Sequence, residues 1–253
     1  MEPQKYTPIL YTTCVTNFLL RLEWGISTSM LPIYIHELGG TPIEVSLVFT
    51  VFAGVSMLSN LFWGAFSDFL GRRKAFIVFG MGAITPIFFL MAHQTNITSL
   101  ILLRGATAIF KGAVVPTSWA LISDVSPSDK IGRNMGLLGA VESAGFAVGP
   151  ALGGLIADAF SFPSLWIFVS LECLLGALIF LAFGRDPENM ERHQHRFFSR
   201  SLKRYITSRK LVVLYTSFAV FLLGFALLGP NLNVYLFNLG YQKTTIGMMA
   251  LIG

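Results

Sequence analysis

The segment Gly64-Ala65-Phe66-Ser67-Asp68-Phe69-Leu70-Gly71-Arg72-Arg73-Lys74 separates two long apolar runs. Three consecutive cations are unstable in hydrocarbon, so this segment predicts a membrane surface. Gly71 permits the tight turn that returns the chain to the membrane. Asp68 lies four residues before Arg72, which allows an ion pair between them or hydrogen bonds from nearby backbone N–H groups to the carboxylate.

The composition is that of a membrane protein. Of 253 residues, 54% are apolar and 12% are charged, whereas a soluble domain carries about 25% charged residues. Cys14 and Cys173 lie in apolar runs and are expected to pack as small hydrophobic side chains. The four histidines have no metal-ligand spacing and no Gly-Lys-Ser/Thr phosphate loop occurs, so we expect no metal, cofactor or ATP site. The charged residues Glu2 and Lys5, and the length of the first apolar run, argue against a cleavable signal peptide.

Seven stretches are long and apolar enough to span a bilayer as helices. A further span is predicted to begin at about Thr244. The seven predicted spans are 8–35, 43–68, 75–92, 97–123, 134–158, 163–183 and 211–238.

Lysine and arginine are distributed very unevenly between the two sides of this topology. The side opposite Arg72 has only Lys243, and three cations lie within helices. This bias predicts that the N-terminus and the Arg72 loop are cytoplasmic in a plasma (inner) membrane, and it explains the basic pI without nucleic acid. The side that carries Arg72 has fourteen cations: Lys5, Arg72, Arg73, Lys74, Lys130, Arg133, Arg185, Arg192, Arg196, Arg200, Lys203, Arg204, Arg209 and Lys210.

These features divide the chain into a six-helix bundle over 1–183, a basic cytoplasmic linker over 184–210 and the beginning of a second bundle over 211–253. In the linker, Phe198, Leu202, Tyr205 and Ile206 follow helical spacing. They predict an amphipathic helix on the inner leaflet, and a solvated linker is the alternative.

Glycine, carboxylate, glycine and a basic cluster, in the order Gly64, Asp68, Gly71, Arg72 and Arg73, resemble motif A of the major facilitator superfamily. That motif lies between the second and third helices of the family and often has a cation where this chain has Phe69. The resemblance implies twelve helices in two six-helix halves, with the motif acting as a latch at the inner face. On this basis we expect the chain to be the first half and the beginning of the second half of a longer transporter.

The predicted fifth helix contains Gly145-Phe146-Ala147-Val148-Gly149-Pro150-Ala151-Leu152-Gly153-Gly154. Glycines at intervals of four residues form a smooth stripe that allows close helix packing, and Pro150 bends the helix. The segment matches motif C of the same family, which the family associates with antiporters. Helix packing alone remains an alternative.

The predicted fourth helix carries Arg104, which resembles the buried arginine of motif B that the family ties to proton coupling. The match is partial, since Thr107 and Ala108 replace the usual glutamine and glycine. Lys111 lies seven residues after Arg104 and therefore on nearly the same face. Both cations are candidates for substrate or ion-pair contacts; structural pairs and snorkelling are the alternatives.

Three anions and three cations fall within the predicted helices. An unpaired charge costs about 2.5–3.5 kcal/mol at the bilayer centre. The equal numbers therefore predict that these charges pair with one another in a polar cavity. Helices one and four line the cavity in the family, so Glu23 is expected to contact Arg104 or Lys111. The six residues are Arg21, Glu23, Arg104, Lys111, Glu142 and Glu172.

A proton-coupled carrier needs a carboxylate that exchanges a proton when its cationic partner leaves. Glu23 is the first candidate for this group. Glu142, on the glycine stripe, should point at a neighbouring helix and is the second. Glu172, in a helix that the family places at the periphery, is the third.

The resemblance is strongest to drug/proton antiporters, so we expect a small organic solute to leave in exchange for protons by alternating access. A proton symporter of a sugar or organic anion is the alternative within this class. A truncated, non-transporting membrane partner is the alternative from another class, because transport requires the second half. An enzyme is not expected, since we find no nucleophile–base arrangement.

Overall fold

The structure, a computed structural model, describes residues 3–186, 213, 216, 217 and 229–252; the side chains of residues 3–6 and 252 are not described. Within these ranges every regular element is a helix. Residues 229–238 are helical, and the last described helix is Lys243–Ile252. The preceding helices are α1 (Pro3–Glu37), α2 (Pro42–Leu70), α3 (Arg73–Met91), α4 (Ile97–Val125), α5 (Ile131–Ala159) and α6 (Phe162–Phe183).

The first six predicted spans are confirmed as helices, and the predicted start near Thr244 is confirmed by the helix Lys243–Ile252. Of the predicted span 211–238, residues 229–238 are helical and most of the remainder lies outside the described residues. The predicted amphipathic linker helix also lies outside them. The observed helices extend past several predicted ends because polar residues continue a helix beyond its apolar part.

Among the described residues, five helices, α2 to α6, are long and apolar enough to cross a membrane. The remaining long helix, α1, has 35 residues but is interrupted by polar side chains, including Arg21 and Glu23. Those two residues lie within the bundle, so the polarity of α1 reflects contacts with other helices and not exposure to lipid.

The helices pack in pairs around α1 and α4. α1 packs on α5 and α6, α2 on α4, and α3 on both α4 and α6. The core contains fully buried Ile26, Met30, Met81 and Trp166. In contrast, α2 exposes a row of large apolar side chains on its outer surface, as expected for contact with lipid. This row comprises Met57, Leu58, Leu61 and Phe62.

Polar residues set the helix ends at the loops. Thr41 and Glu44 form a reciprocal capping box at the start of α2, and such boxes satisfy backbone donors that the helix leaves free. Asn96 caps α4 by accepting a hydrogen bond from the Thr98 amide at 2.8 Å. Gly71 ends α2 with φ 62°, in the left-handed region. We call the end of the bundle with this turn the Arg72 face, and the opposite end, with the turn at Gly39, the Gly39 face.

The glycine stripe of α5 packs directly on α1. A Cβ atom added at Gly149 would lie 2.5 Å from the Leu22 carbonyl oxygen and 2.8 Å from the Ile26 amide nitrogen. On a different side of α5, Gly154 lies against the backbone of Lys243. The expectation that the stripe allows close packing is therefore confirmed, and the same helix also contacts the start of the helix Lys243–Ile252.

Candidate functional site

Glu23 lies between two cations in the centre of the bundle. One carboxylate oxygen accepts a hydrogen bond from Arg104 Nη1 at 2.9 Å and another from Ser27 Oγ at 2.8 Å. The other oxygen contacts Lys111 Nζ. The side chains of Glu23, Arg104 and Lys111 are 0%, 1% and 3% exposed. The predicted contact is formed with both cations, and we call these three residues the central cluster.

Two aromatic rings cover the cations of the central cluster. The Arg104 guanidinium lies 4.3 Å from the centroid of the Phe52 ring, and Lys111 Nζ lies 4.8 Å from that of Trp24. The two rings meet edge to face at 5.2 Å. These contacts exclude water and add cation–π attraction to the ion pairs, which strengthens every charge interaction inside the cluster.

A second ion pair joins α1 to α5. Arg21 Nη2 and Glu142 Oε2 are 2.7 Å apart, and the Trp119 indole donates to Glu142 Oε1 at 3.1 Å. Glu142 thus points at neighbouring helices, as predicted from its place on the glycine stripe. The Arg21 side chain is 23% exposed, so this pair is more open than the central cluster.

Trp24 connects the two groups of charges. The Arg21 guanidinium carbon lies 5.4 Å from its ring centroid, on the same indole that Lys111 approaches. Arg21, Trp24 and Thr28 are all partly exposed and recur at helical spacing on α1. Since the Thr28 carbonyl contacts Asn233 Nδ2 at 3.5 Å, this face of α1 points toward the helical residues 229–238.

Glu172 departs from the prediction that the intrahelical charges pair with one another. It lies in α6 with only 6% of its surface exposed. Neither carboxylate oxygen has a hydrogen-bond partner among the described residues. The observed ion pairs use two of the three anions, Glu23 and Glu142, and all three cations. Glu172 forms none of them, because α6 places it where none of these cations reaches it.

The ion pair predicted between Asp68 and Arg72 on the Arg72 face is wrong, because Arg73 takes the place of Arg72. Arg73 Nη1 lies 2.5 Å from Asp68 and 2.7 Å from Ser67 Oγ, while Arg73 Nε lies 3.1 Å from Asp124. Arg73 is buried and Arg72 is exposed. Gly71 causes the difference, since its left-handed conformation ends α2 before the helical spacing reaches Arg72.

On the opposite, Gly39 face, α1 and α5 contact the last described residues of the chain. Lys243 Nζ lies 2.7 Å from Glu37 at the end of α1. Asp158, at the end of α5, accepts hydrogen bonds of 2.7 Å from both the amide and the hydroxyl of Thr244. His36 Nε2 lies 2.8 Å from Asn238 Oδ1. Polar contacts at this face therefore connect α1 and α5 to residues 238–244.

Some of these contacts were not predicted. The contact of Ser27 with Glu23 could have been predicted, since Ser27 lies one helical turn after Glu23. The sequence indicates no partner for Trp119, because its hydrogen bond to Glu142 depends on the packing of α4 on α5. Phe52 is one of 23 phenylalanines, and nothing in the local sequence distinguishes it.

The architecture defines an all-helical, multi-pass membrane protein with charged pairs buried between its helices. The sequence profile of the Major Facilitator Superfamily matches residues 13–253, and the chain belongs to this superfamily of transporters.

Among curated relatives, the chain is 30% identical over 171 residues to the quinolone resistance protein NorA of Staphylococcus aureus (strain Mu50), covering 68% of this chain and 44% of the relative. It is 26% identical over 188 residues to the uncharacterized MFS-type transporter MJ1560 of Methanocaldococcus jannaschii, covering 72% of this chain and 48% of the relative. The chain thus spans about half the length of these relatives.

The fold is similar to that of solved transporters. A bacterial homologue of the human lysosomal transporter Spinster, in an inward-facing and occupied conformation, matches with a TM-score of 0.61 at 15% identity, covering 78% of this chain and 48% of that one. The peptide transporter POT in complex with sulfate matches with a TM-score of 0.58 at 15% identity, covering 88% of this chain and 46% of that one. At this identity the likeness concerns the fold alone.

Proposed function

We propose that the chain is the first half of a secondary active transporter that exchanges a small organic solute for protons. The observation that carries the proposal is the central cluster, in which Glu23 is buried between Arg104 and Lys111. Ionisable groups are costly inside a membrane and usually mark transport pathways. The position of Lys111, halfway along α4, places this cluster at the depth where substrate sites of such carriers lie.

Glu23 is the proposed proton carrier. A proton on its carboxylate removes the charge that holds Arg104 and Lys111, which frees both cations for other partners. Loss of the proton restores the ion pairs. Glu142 is the second candidate, because its partner Arg21 is partly exposed; Glu172 is the third.

Alternating access is proposed to come from contacts at the two ends of the bundle. On the Arg72 face, Arg73 bridges Asp68 and Asp124 within the first bundle. On the Gly39 face, the pair of Glu37 with Lys243 joins the two bundles. Ion pairs of this kind can be exchanged as bundles rock against each other, so opening the Gly39 face requires the Glu37–Lys243 pair to break.

Export by antiport is the preferred direction. Motif C on α5 and the similarity to a quinolone resistance protein favour it. A symporter of an organic anion is the second candidate, since the central cluster holds two cations for one carboxylate. The Arg72 face and the N-terminus are proposed to be cytoplasmic in the plasma membrane, with 184–210 as the cytoplasmic linker between bundles 1–183 and 211–253.

The test is flux in vesicles reconstituted with the full-length transporter that contains this chain. With a quinolone as the first probe, an inside-acid pH gradient should drive uptake, because protons leave as the solute enters. An ionophore that collapses the gradient should stop the uptake. Uptake driven by an inside-alkaline gradient would identify symport instead, and uptake indifferent to both gradients would contradict proton coupling.

A further inference from the structure

A groove of about 490 Å³ lies between α3 and α6, where α3 begins and α6 ends. Three charged residues line it: Arg72 directly before α3, Lys74 in the first turn of α3, and Asp186 after α6. The groove therefore lies at the Arg72 face, beside the cations that mark a membrane surface.

The charged residues of the groove comprise two cations and one carboxylate. Neither Arg72 nor Lys74 forms an ion pair with a described residue. Asp186 is held beside them, because its carboxylate accepts a hydrogen bond of 2.7 Å from the Lys74 backbone amide. Arg72 is exposed and Lys74 is partly exposed, so both side chains are open to an anion that approaches from outside the bundle.

The rest of the lining of the groove is apolar. Phe79 and Leu181 are 48% and 53% exposed, and Val78 lines the groove with them. The Phe79 ring packs edge to face on Phe110 with centroids 5.6 Å apart, which fixes the position of this wall. Because α3 and α6 are long and apolar enough to cross a membrane, we expect such exposed side chains to contact acyl chains.

We propose that this groove binds one anionic phospholipid of the membrane, with its phosphate between Arg72 and Lys74 and an acyl chain along Phe79 and Leu181. A phosphodiester carries one negative charge, which matches the excess positive charge of the groove, and it accepts charge-assisted hydrogen bonds from both cations. Basic pockets between membrane-spanning helices favour such headgroups. A soluble phosphate would occupy only the charged end and leave the apolar wall uncovered. The proposal is independent of proton coupling and of the solute, since it needs only that the Arg72 face lies at a membrane surface.

The experiment measures which lipid occupies the groove. The full-length transporter carries Leu178→Cys labelled with bimane, because Leu178 is exposed on α6 and lies about one turn deeper in the membrane than Leu181. It is reconstituted in nanodiscs of dioleoylphosphatidylcholine, in which a rising share of the lipid is replaced by a dibrominated phospholipid that quenches the label on contact. Dibrominated phosphatidylglycerol should reach half-maximal quenching at a mole fraction about tenfold lower than dibrominated phosphatidylcholine does.

Two double variants separate the groove from the general charge of the Arg72 face. Arg72→Gln/Lys74→Gln should reduce the preference for phosphatidylglycerol to about twofold or less. Lys130→Gln/Arg133→Gln, the matched control, removes two cations from the same face outside the groove and should retain the preference. An excess of sn-glycerol 3-phosphate should leave the quenching unchanged, because it has no acyl chain to contact the apolar wall.

Three results would overturn the inference. The first is equal quenching by the two lipids, as when another part of the chain fills the groove. The second is an equal loss of preference in both double variants, which would show that only the overall charge of the face attracts the lipid. The third is displacement of the brominated lipid by sn-glycerol 3-phosphate, which would identify a site for a soluble phosphate.

Discussion

Arg72 and Arg73 are adjacent residues of the same type with different roles in the structure. The Arg73 side chain is 8% exposed and contacts Asp68, Asp124 and Ser67, whereas Arg72 lies on the surface. Removing a guanidinium that donates to several acceptors costs more stability than removing an exposed one. The difference in stability between variants at Arg73 and Arg72 therefore measures what the Arg73 ion pairs contribute.

Replacing Arg73 by Gln is expected to destabilise the full-length transporter by about 1–2 kcal/mol, because the carboxylates that it bridges are themselves partly hydrated. Arg72→Gln, the matched control, should change stability by less than about 0.5 kcal/mol. Thermal melting of the two variants in the same detergent measures the contrast. Equal melting temperatures would show that the bridge does not stabilise the bundle.

Predicted side-chain contacts were confirmed where they depended only on which residues share one face of a helix. Arg104 and Lys111 are seven residues apart and both reach Glu23, as that spacing allows. The Asp68–Arg72 pair was wrong because the spacing rule was carried through Gly71, where the helix ends. The missing partner of Glu172 depends on the packing of α6, which the spacing within that helix does not encode.

At the scale of the helix, α5 is shaped by its glycines. The stripe that includes Gly145 and Gly149 brings its backbone onto α1, and Gly153 continues the contact onto Ile26 and Met30. Small residues permit such an approach without specific polar bonds. The close contact positions Glu142 against Arg21, so motif C serves the second ion pair through packing.

Gly149→Ala should lower stability by about 1–3 kcal/mol, the usual range for overpacking, because the new methyl group would meet the backbone of Leu22 and Ile26. Gly136 is the control on the same helix, since a Cβ there meets nothing within 4 Å. Gly136→Ala should be neutral or stabilising by up to about 1 kcal/mol through helix propensity. Equal melting temperatures of the Gly149→Ala and Gly136→Ala proteins would contradict the packing described for α5.

Helix positions could be predicted because apolar runs of sufficient length leave few alternatives in a membrane. The predicted span 163–183 became Phe162–Phe183, and 97–123 became Ile97–Val125. Asn96 caps α4 at its predicted start, whereas α6 begins one residue earlier than predicted, directly after its cap Ser161. Which helices touch, in contrast, came from the resemblance to a known family and not from hydropathy.

At the scale of the molecule, the two faces of the bundle differ in what they join. On the Arg72 face, Arg73 joins α3 to α2 and α4, whereas on the Gly39 face Lys243 and Thr244 join the last described helix to α1 and α5. The central cluster lies between them. We expect the two faces to lie in different compartments, because the described helices between them are long and apolar enough to cross a membrane.

Single cysteines test the compartments of the two faces. Asp129→Cys lies in the α4–α5 loop on the Arg72 face and Thr95→Cys in the α3–α4 loop on the Gly39 face, and both positions are exposed. The native Cys14 and Cys173 are buried and should react slowly. A membrane-impermeant maleimide added to intact cells should label Thr95→Cys and leave Asp129→Cys unlabelled until the cells are lysed. Labelling of both from outside would contradict the topology.

The most direct test of the account is the behaviour of Glu23→Gln in the full-length transporter. Glutamine keeps acceptors for Arg104 and Ser27 but cannot exchange a proton, so flux driven by a pH gradient should be lost. Exchange of labelled for unlabelled solute without a gradient should persist, which shows that the variant is folded and binds, and Asp129→Asn should behave as wild type in both assays. Undiminished gradient-driven flux in Glu23→Gln would contradict the assignment of Glu23 as the proton carrier.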